Sequence, residues 1–361
     1  MDVGAAVLMV LAAGVELLTP HRTAARGCQA VPGLHEVGMR LRMRDIMQPP
    51  SSSRDWHAVM RAWAKPPSET EDQRASNAAG MIRTAIRASD ALKGKTVDVY
   101  PTGSYRNNTN ARLESDVDVA VVLRDLMFSE IPSAFTKEQL GITSTTSYSF
   151  NQFREDVGAA LKAKFGAGMT PGDKAFDIRE NSYRLDADVA PFFEHRRYTG
   201  ARGADGTWQF YEGVEMRPRS DANKRIINWH QQHYDQGVAK NTATGRRFKR
   251  VTRILKRLRT EMLGAGDERA RKAAKPIASF LIESLVYNVP NGQFNQATET
   301  YYEDTKAVVS WLWNRIDKNE HNEFKETSEM KWLFRSGQAW TAADAKEFLA
   351  AAWSCVGFEK S

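Results

Sequence analysis

Residues 115–123 read Ser-Asp-Val-Asp-Val-Ala-Val-Val-Leu, and no other segment limits the possible folds of this chain so sharply. In a strand, successive side chains alternate faces, so Asp116 and Asp118 point one way and Val117, Val119 and Val121 the other. The rear half is continuously apolar, as the middle of a buried sheet requires. The run therefore predicts a central strand with two acids at its mouth. Two carboxylates on one face repel unless a cation sits between them. Hard divalent ions such as Mg²⁺ suit that role, because carboxylates and substrate phosphates hold them together. A solvated strand end carrying two acids is the plain alternative.

The surroundings favour the ion. Residues 96–101 alternate through Val97 and Val99 and predict a strand running into Gly103-Ser104, twelve residues before Asp116. A glycine lets backbone approach a phosphate, and exposed N–H groups with the Ser104 hydroxyl bind its oxygens. Residues 175–178 and 183–189 predict a hairpin turning at Glu180-Asn181-Ser182. Its second strand places Asp186 and Asp188 on one face, just before Val189-Ala190-Pro191. In-line phosphoryl transfer uses two metal ions about 4 Å apart, one at the attacking hydroxyl and one at the leaving phosphates. Three carboxylates from two strands suffice for such a pair.

The 361 residues are enough for one large domain or two lobes. The net charge of +7 favours polyanions without choosing among nucleotides, nucleic acid and membrane surface. Two cysteines, Cys28 and Cys355, make no disulfide framework and read as reduced thiols of a cytoplasmic protein. Residues 3–18 are apolar but too short to span a bilayer, and Glu16 interrupts them. Residues 1–50 are thus an extension: an upstream start ahead of Met39, Met43 or Met47, a loose tail, or an anchor. A helix carries Trp56, Val59, Met60 and Trp63 and breaks at Pro66-Pro67. The next starts on a capping box, Ser68 with Glu71, and ends near Gly94. Residues 153–165 predict another. Gly203, Gly206 and Pro218 mark loops, and after Pro218 the pattern is helical to the end. Phe248, Val251, Leu255, Leu258 and Met262 form one apolar stripe. Residues 276–286, 308–316 and 342–353 are further helices. The layout is a catalytic lobe over 51–217 and a helical lobe over 218–361.

Arg246, Arg247, Lys249, Arg250, Arg253, Lys256, Arg257 and Arg259 crowd one helix. For most of them the expectation is a solvated face, with one or two free to neutralise a triphosphate. His230 and His233, at i and i+3, read as surface histidines. Trp311, Trp313, Trp332, Trp340 and Trp353 read as helical core. Asn107-Asn108-Thr109 fits a glycosylation sequon that a cytosolic chain would not use.

The run 102–123, Gly-Ser-Tyr-Arg-Asn-Asn-Thr followed by Asp-Val-Asp-Val, resembles the signature of the DNA polymerase beta-like nucleotidyltransferases. Within that superfamily it is similar to the bacterial cyclic-oligonucleotide synthases, the CD-NTases related to cyclic GMP-AMP synthase. The strand ending Asp188-Val189-Ala190-Pro191 and the helical runs 244–259 and 277–283 resemble the same family, so the likeness spans roughly 54–300. The extension has no counterpart in it. The resemblance implies an α+β, bilobed fold: a mixed-sheet catalytic lobe, a C-terminal helical lobe, and the site between them. It implies that Gly103 and Ser104 hold a donor triphosphate and that Asp116 and Asp118 bind two Mg²⁺ ions, with Mn²⁺ as a substitute. Asp188 would complete the ion at the acceptor hydroxyl, with Asp186 as an extra acid able to replace it. Lys256 would reach the triphosphate, Ser279 would contact the donor nucleotide, and Phe280 would stack on its base. The implied activity joins nucleoside triphosphates into a cyclic di- or trinucleotide with loss of pyrophosphate. The product would act on a separate effector protein, as in anti-phage signalling. Regulatory protein partners fit, and no obligatory nucleic acid is expected. A linear transferase acting on RNA, oligoadenylate, a small molecule or a protein is the alternative, and a catalytically dead RNA-binding relative is a third.

Overall fold

The computed structural model describes residues 54–111, 116–142, 146–297 and 300–358. The expectations for residues 1–50, including Cys28, lie outside the described residues. Among the described residues no helix is long and apolar enough to cross a membrane.

The chain begins with α1 (Trp56–Trp63), capped by the Asp55 carboxylate, which accepts from the Ala58 N–H. Then comes α2 (Glu69–Arg87), whose capping box of Ser68 and Glu71 is formed in both directions. It stops at Arg87, and a short 3₁₀ turn at Asp90–Leu92 fills the distance expected to be helical up to Gly94. The sheet region follows: β1 (Val97–Pro101), α3 (Gly103–Asn107), β2 (Val117–Glu130), α4 (Phe150–Phe165), β3 (Met169–Pro171), β4 (Phe176–Ile178), β5 (Ala187–Arg202), β6 (Trp208–Met216) and β7 (Ile226–Asn228). Six helices complete the chain: α5 (His230–Ala243), α6 (Arg247–Gly264), α7 (Glu268–Ala274), α8 (Ser279–Asn288), α9 (Tyr302–Asp317) and α10 (Ala342–Val356).

The sheet order is β1-β2-β5-β4-β3, with β6 on β5 and β7 on β6. Only β2 and β5 run parallel; the other pairs are antiparallel. Val117 and Val119 to Val122 on β2 are fully buried, so both faces of its middle are covered, as its unbroken apolar run requires. Pro191 lies inside β5. It falls between Val189, the last residue paired to β4 on that side, and Phe193, the first paired to β6, so its missing N–H interrupts neither ladder.

Three expectations change here. The hairpin leading into β5 is real, but its second strand starts at Ala187, not at Tyr183, and Asp186 stands outside it. Residues 187–216 form a long second hairpin that no alternation announced, because β5 is buried on both faces along its first half. The stretch after Pro218 is not wholly helical, since β7 adds the last strand to β6 first.

Two hydrophobic cores result. One fills the space between the sheet and helices α2 and α4, with Ile82, Phe153, Val157 and Leu161 against Val119, Val121 and Val189. The other lies among α6, α8, α9 and α10 and includes Phe248, Leu255, Leu281, Leu312 and Phe348. All five residues of the expected α6 stripe belong to it. Trp313 and Trp340 are buried in this core, and Trp311 and Trp353 pack against it. Trp332 instead pairs by backbone with Lys325 outside the helices. The helical core also takes Met60 and Ala64 from the α1 region, so it does not follow chain order.

Arg247 and Asp304 form a buried ion pair across this core, and Arg247 also donates to the Thr300 carbonyl. Asp304 in turn accepts from the Gln296 N–H at 2.7 Å. Removing one partner of such a pair strands the other charge. Asp304→Ala is therefore expected to lower unfolding free energy by about 3–5 kcal/mol, read from urea denaturation at pH 7.

Candidate active site

The parallel register of β2 and β5 sets Asp118 opposite Asp188, and the antiparallel register of β5 and β4 sets Asp188 opposite Asp177. Directly opposed residues share a face, so three carboxylates stand abreast across three strands. Asp116 lies one step before β2, with Asp186 beside it where the Val117 N–H donates to the Asp186 carbonyl. The Asp186 carboxylate accepts the Glu180 N–H and so closes the turn ahead of β5. It lies one residue before β5 and not within it.

Crowding raises the affinity of these acids for protons. Asp118 keeps partial access to the cleft but is enclosed by protein elsewhere. Burial, then the neighbouring Asp116, pushes its carboxyl up to about 7, and Lys256 tempers the rise. Burial, then Asp118, Asp177 and Asp116, pushes Asp188 up to about 8. Asp116 is raised as well, by burial and then by Asp186.

Gly103 sits against this row. Its φ is +60°, and a Cβ there would lie 2.0 Å from Asp118 Oδ2, so no other residue fits without moving the carboxylate. The Thr102 N–H donates to the Asp118 carbonyl at 2.8 Å and fixes the turn to the strand. The turn ends at Asn108, left-handed at φ +51°.

One cleft between the lobes gathers most of the expected residues. Gly103, Ser104, Asp118, Asp188, Lys256, Ser279 and Phe280 line it. Asp116 does not line it. The Phe280 ring meets the rings of His233 at 5.6 Å and Trp340 at 6.1 Å, so much of its surface is already in contact with protein.

Sequence reasoning missed several lining residues. His230 and His233 are not surface histidines. Both line the cleft, and His233 bonds buried Glu283 at 2.9 Å. Burial, then Arg106, pushes His230 down to about 3, which leaves it neutral. Asn107 also lines the cleft, at a position within the quoted signature that was given no role in the site. Glu326 and Ser328 arrive from the segment between α9 and α10, which carries no motif. The solvated-face expectation for α6 fails at Arg247 and Arg253, which are 7% and 5% exposed, while Lys256, expected to reach a triphosphate, is 4% exposed. Arg253 donates to the Ala64 carbonyl at 2.7 and 2.9 Å and to the Asn108 carbonyl at 2.7 Å. The signal was the helix itself, since every residue from Val251 to Lys256 is buried and such a helix has no solvated face there.

The donor set is all hard oxygen, which matches Mg²⁺ or Mn²⁺ rather than softer metals. Among the described residues no three such groups converge closely enough to hold an ion alone. That spacing suits an ion whose shell is finished by phosphate oxygens and water.

The profile described as "Nucleotidyltransferase domain" matches residues 82–144, and that described as "cGAS/DncV-like nucleotidyltransferase C-terminal helical domain" matches residues 235–357. A cyclic dipyrimidine nucleotide synthase CdnE of Legionella pneumophila is 42% identical over 306 residues, 84% of this chain and 98% of the relative. The chain belongs to the CD-NTase family. A second cyclic dipyrimidine nucleotide synthase CdnE, from Cecembia lonarensis, is 36% identical over 82% of this CD-NTase and 97% of the relative. The solved structure of the Elizabethkingia meningoseptica CdnE cyclic dinucleotide synthase with GTP and Apcpp superposes with a TM-score of 0.67. It is 30% identical and covers 83% of this chain and 98% of that one. The protein is thus a nucleotidyltransferase that cyclises nucleoside triphosphates, with the bilobed α+β fold of its family. Nucleotidyltransferases typically use divalent metals.

Two outcomes follow from this geometry. Asp118 and Asp188 bind protons more tightly folded than unfolded, so between about pH 4 and pH 8 the native state holds the extra protons. Stability in EDTA should therefore fall as pH rises through that window, and Asp118→Asn should flatten the decline of Tm with pH. Gly103→Ala should cost about 1–2 kcal/mol of stability from the left-handed backbone. It should also lower kcat/KM about a hundredfold by displacing Asp118, as steady-state kinetics would show.

Proposed function

We propose that this CD-NTase joins two pyrimidine nucleoside triphosphates into a cyclic dinucleotide. Two relatives, at 42% and 36% identity, carry the name cyclic dipyrimidine nucleotide synthase, which supports the choice of base. The observation that carries the site is the row of opposed carboxylates beneath Gly103 in the interlobe cleft.

Asp116, Asp118 and Asp188 would hold two Mg²⁺ ions, with Mn²⁺ able to replace them. When bound, the ions lower the pKa of the attacking hydroxyl and offset charge on the leaving pyrophosphate. Gly103 and Ser104 cradle the donor triphosphate from the β2 side, and Lys256 approaches it from α6. Ser279 and Phe280 flank the donor nucleoside from α8. A ribose hydroxyl of the acceptor attacks the donor α-phosphorus. The new P–O bond forms as the bond to the β-phosphate oxygen breaks, and pyrophosphate leaves. Asp188, as a carboxylate beside the bound ions, would take the hydroxyl proton. A second round within the cleft closes the ring. The cyclic product then acts on a separate effector protein in anti-phage signalling inside the cytoplasm.

The experiment incubates purified protein with labelled ATP, GTP, CTP and UTP and Mg²⁺ or Mn²⁺, followed by phosphatase and chromatography. A phosphatase-resistant product requiring only CTP or UTP is expected. Asp116→Ala with Asp118→Ala should abolish it while the circular dichroism spectrum is kept. A resistant product built only from ATP and GTP overturns the base assignment. A phosphatase-sensitive product points to the linear transferase, and turnover near wild type in the double variant overturns the site.

A further inference from the structure

Glu283 is buried beside the cleft, and none of the steps above uses it. It lies on α8, lines the cavity and is 3% exposed. Its Oε1 lies 2.9 Å from His233 Nε2 on α5. Its Oε2 accepts the Thr109 hydroxyl at 2.6 Å and Lys256 Nζ at 3.1 Å. Lys256 Nζ also donates to Thr109 Oγ1 at 3.2 Å, which closes a triangle. One carboxylate thus collects groups from α5, α6 and the segment after α3, and both of its oxygens are engaged. Burial alone would raise its proton affinity. Lys256, then His233 and Thr109, outweigh that and hold the carboxyl well below the usual range.

A buried ion pair is a poor way to gain stability, because desolvation offsets most of the attraction. The placement of this one suggests another use. Thr109 follows closely on Asn107, the last residue of α3, and α3 opens with Gly103 and Ser104. Lys256 has three N–H bonds, and the triangle engages two of them. One remains for the cavity that Lys256 lines. Asp118 feels the lysine charge from the β2 side, and Asp188, His230 and Glu326 line the same cleft. Lys249, one helical turn and more before Lys256, also feels Glu283.

We propose that Glu283 is a positioning residue for the triphosphate: it holds Lys256 aimed at the cleft, while Thr109 ties the Gly103-Ser104 turn to α6. This rests on Lys256 as a triphosphate contact. Neither Glu283 nor Thr109 touches the nucleotide; both act through their neighbours.

A double-mutant cycle tests it, with wild type, Lys256→Met, Glu283→Gln and the pair. Glutamine keeps the volume and one acceptor for Thr109 and Lys256, and its amide can meet His233 in the other tautomer. The readouts are kcat and KM for the preferred triphosphate, and affinity for inorganic tripolyphosphate by calorimetry. Glu283→Gln should raise KM and weaken tripolyphosphate about tenfold, the loss of one charge-assisted contact, with kcat changed less. In the Lys256→Met background the same substitution should add nothing. Thr109→Val, nearly the same shape without the hydroxyl, should raise KM about threefold, again only when Lys256 is present. If Glu283→Gln does not fold, Thr109→Val in the same cycle decides. Effects that add in the double variant, or a loss confined to kcat, overturn the proposal while leaving Lys256 in place. No change in Lys256→Met itself overturns the triphosphate contact, and the role of Glu283 falls with it.

Discussion

Like charges forced into register are the constraint around which this molecule is arranged. The pairing of β2, β5 and β4 brings Asp118, Asp188 and Asp177 abreast, with Asp116 and Asp186 close by at the strand mouths. Water cannot screen such a row from behind, because Val117, Val119 and Val189 seal the other face. The acids therefore retain protons or attract cations. Gly103 is there because the carboxylate of Asp118 needs the volume that a Cβ would occupy. The cationic end of Lys256 approaches from the opposite lobe, held by Glu283 and Thr109. A divalent cation, of the kind nucleotidyltransferases typically use, would supply the positive charge that this row of acids lacks.

The helical lobe contributes few groups to the cleft, but it holds them by burial. Arg253 donates its guanidinium N–H groups to two carbonyls, those of Ala64 and Asn108. Burial, then Arg250, pushes its pKa down to about 10, still charged at neutral pH. A buried cation bonded only to carbonyls gives direction rather than ion pairing. It ties the end of the Gly103-Ser104 turn to the same helix that carries Lys256, one turn further on.

Much of this was legible in the residues, and the failures share a cause. The capping box at Ser68 and Glu71, the apolar stripe of α6 and the Asp-Val-Asp strand are local patterns, and local physics sets them. Asp177 was not legible: a three-residue strand carries almost no periodic signal, and its place beside Asp188 exists only once β4 pairs with β5. Asp186 was assigned to the strand face because alternation continues backward to it, yet a turn begins there and its carboxylate serves the Glu180 N–H. His230, His233 and Arg253 looked solvated because polar residues usually are. They are covered by the other lobe, and neither the helix pattern nor the charge count records which face meets a distant part of the chain. Most of the site residues named from the motif line one cleft, whereas the ring of polar groups behind them depends on tertiary contacts alone.

Among the described residues, the chain leaves one lobe's core and returns to it. Met60 and Ala64 pack among the C-terminal helices, the chain crosses to the sheet before α2, and it crosses back between β7 and α5. The lobes are therefore joined by two covalent tethers instead of one. A single tether permits twisting, sliding and swinging; two tethers define a line, and the easy motion left is rotation about it. The wall with the aligned acids and the wall with Lys256 are thus held in register by two chain connections, where one would leave sliding unrestrained.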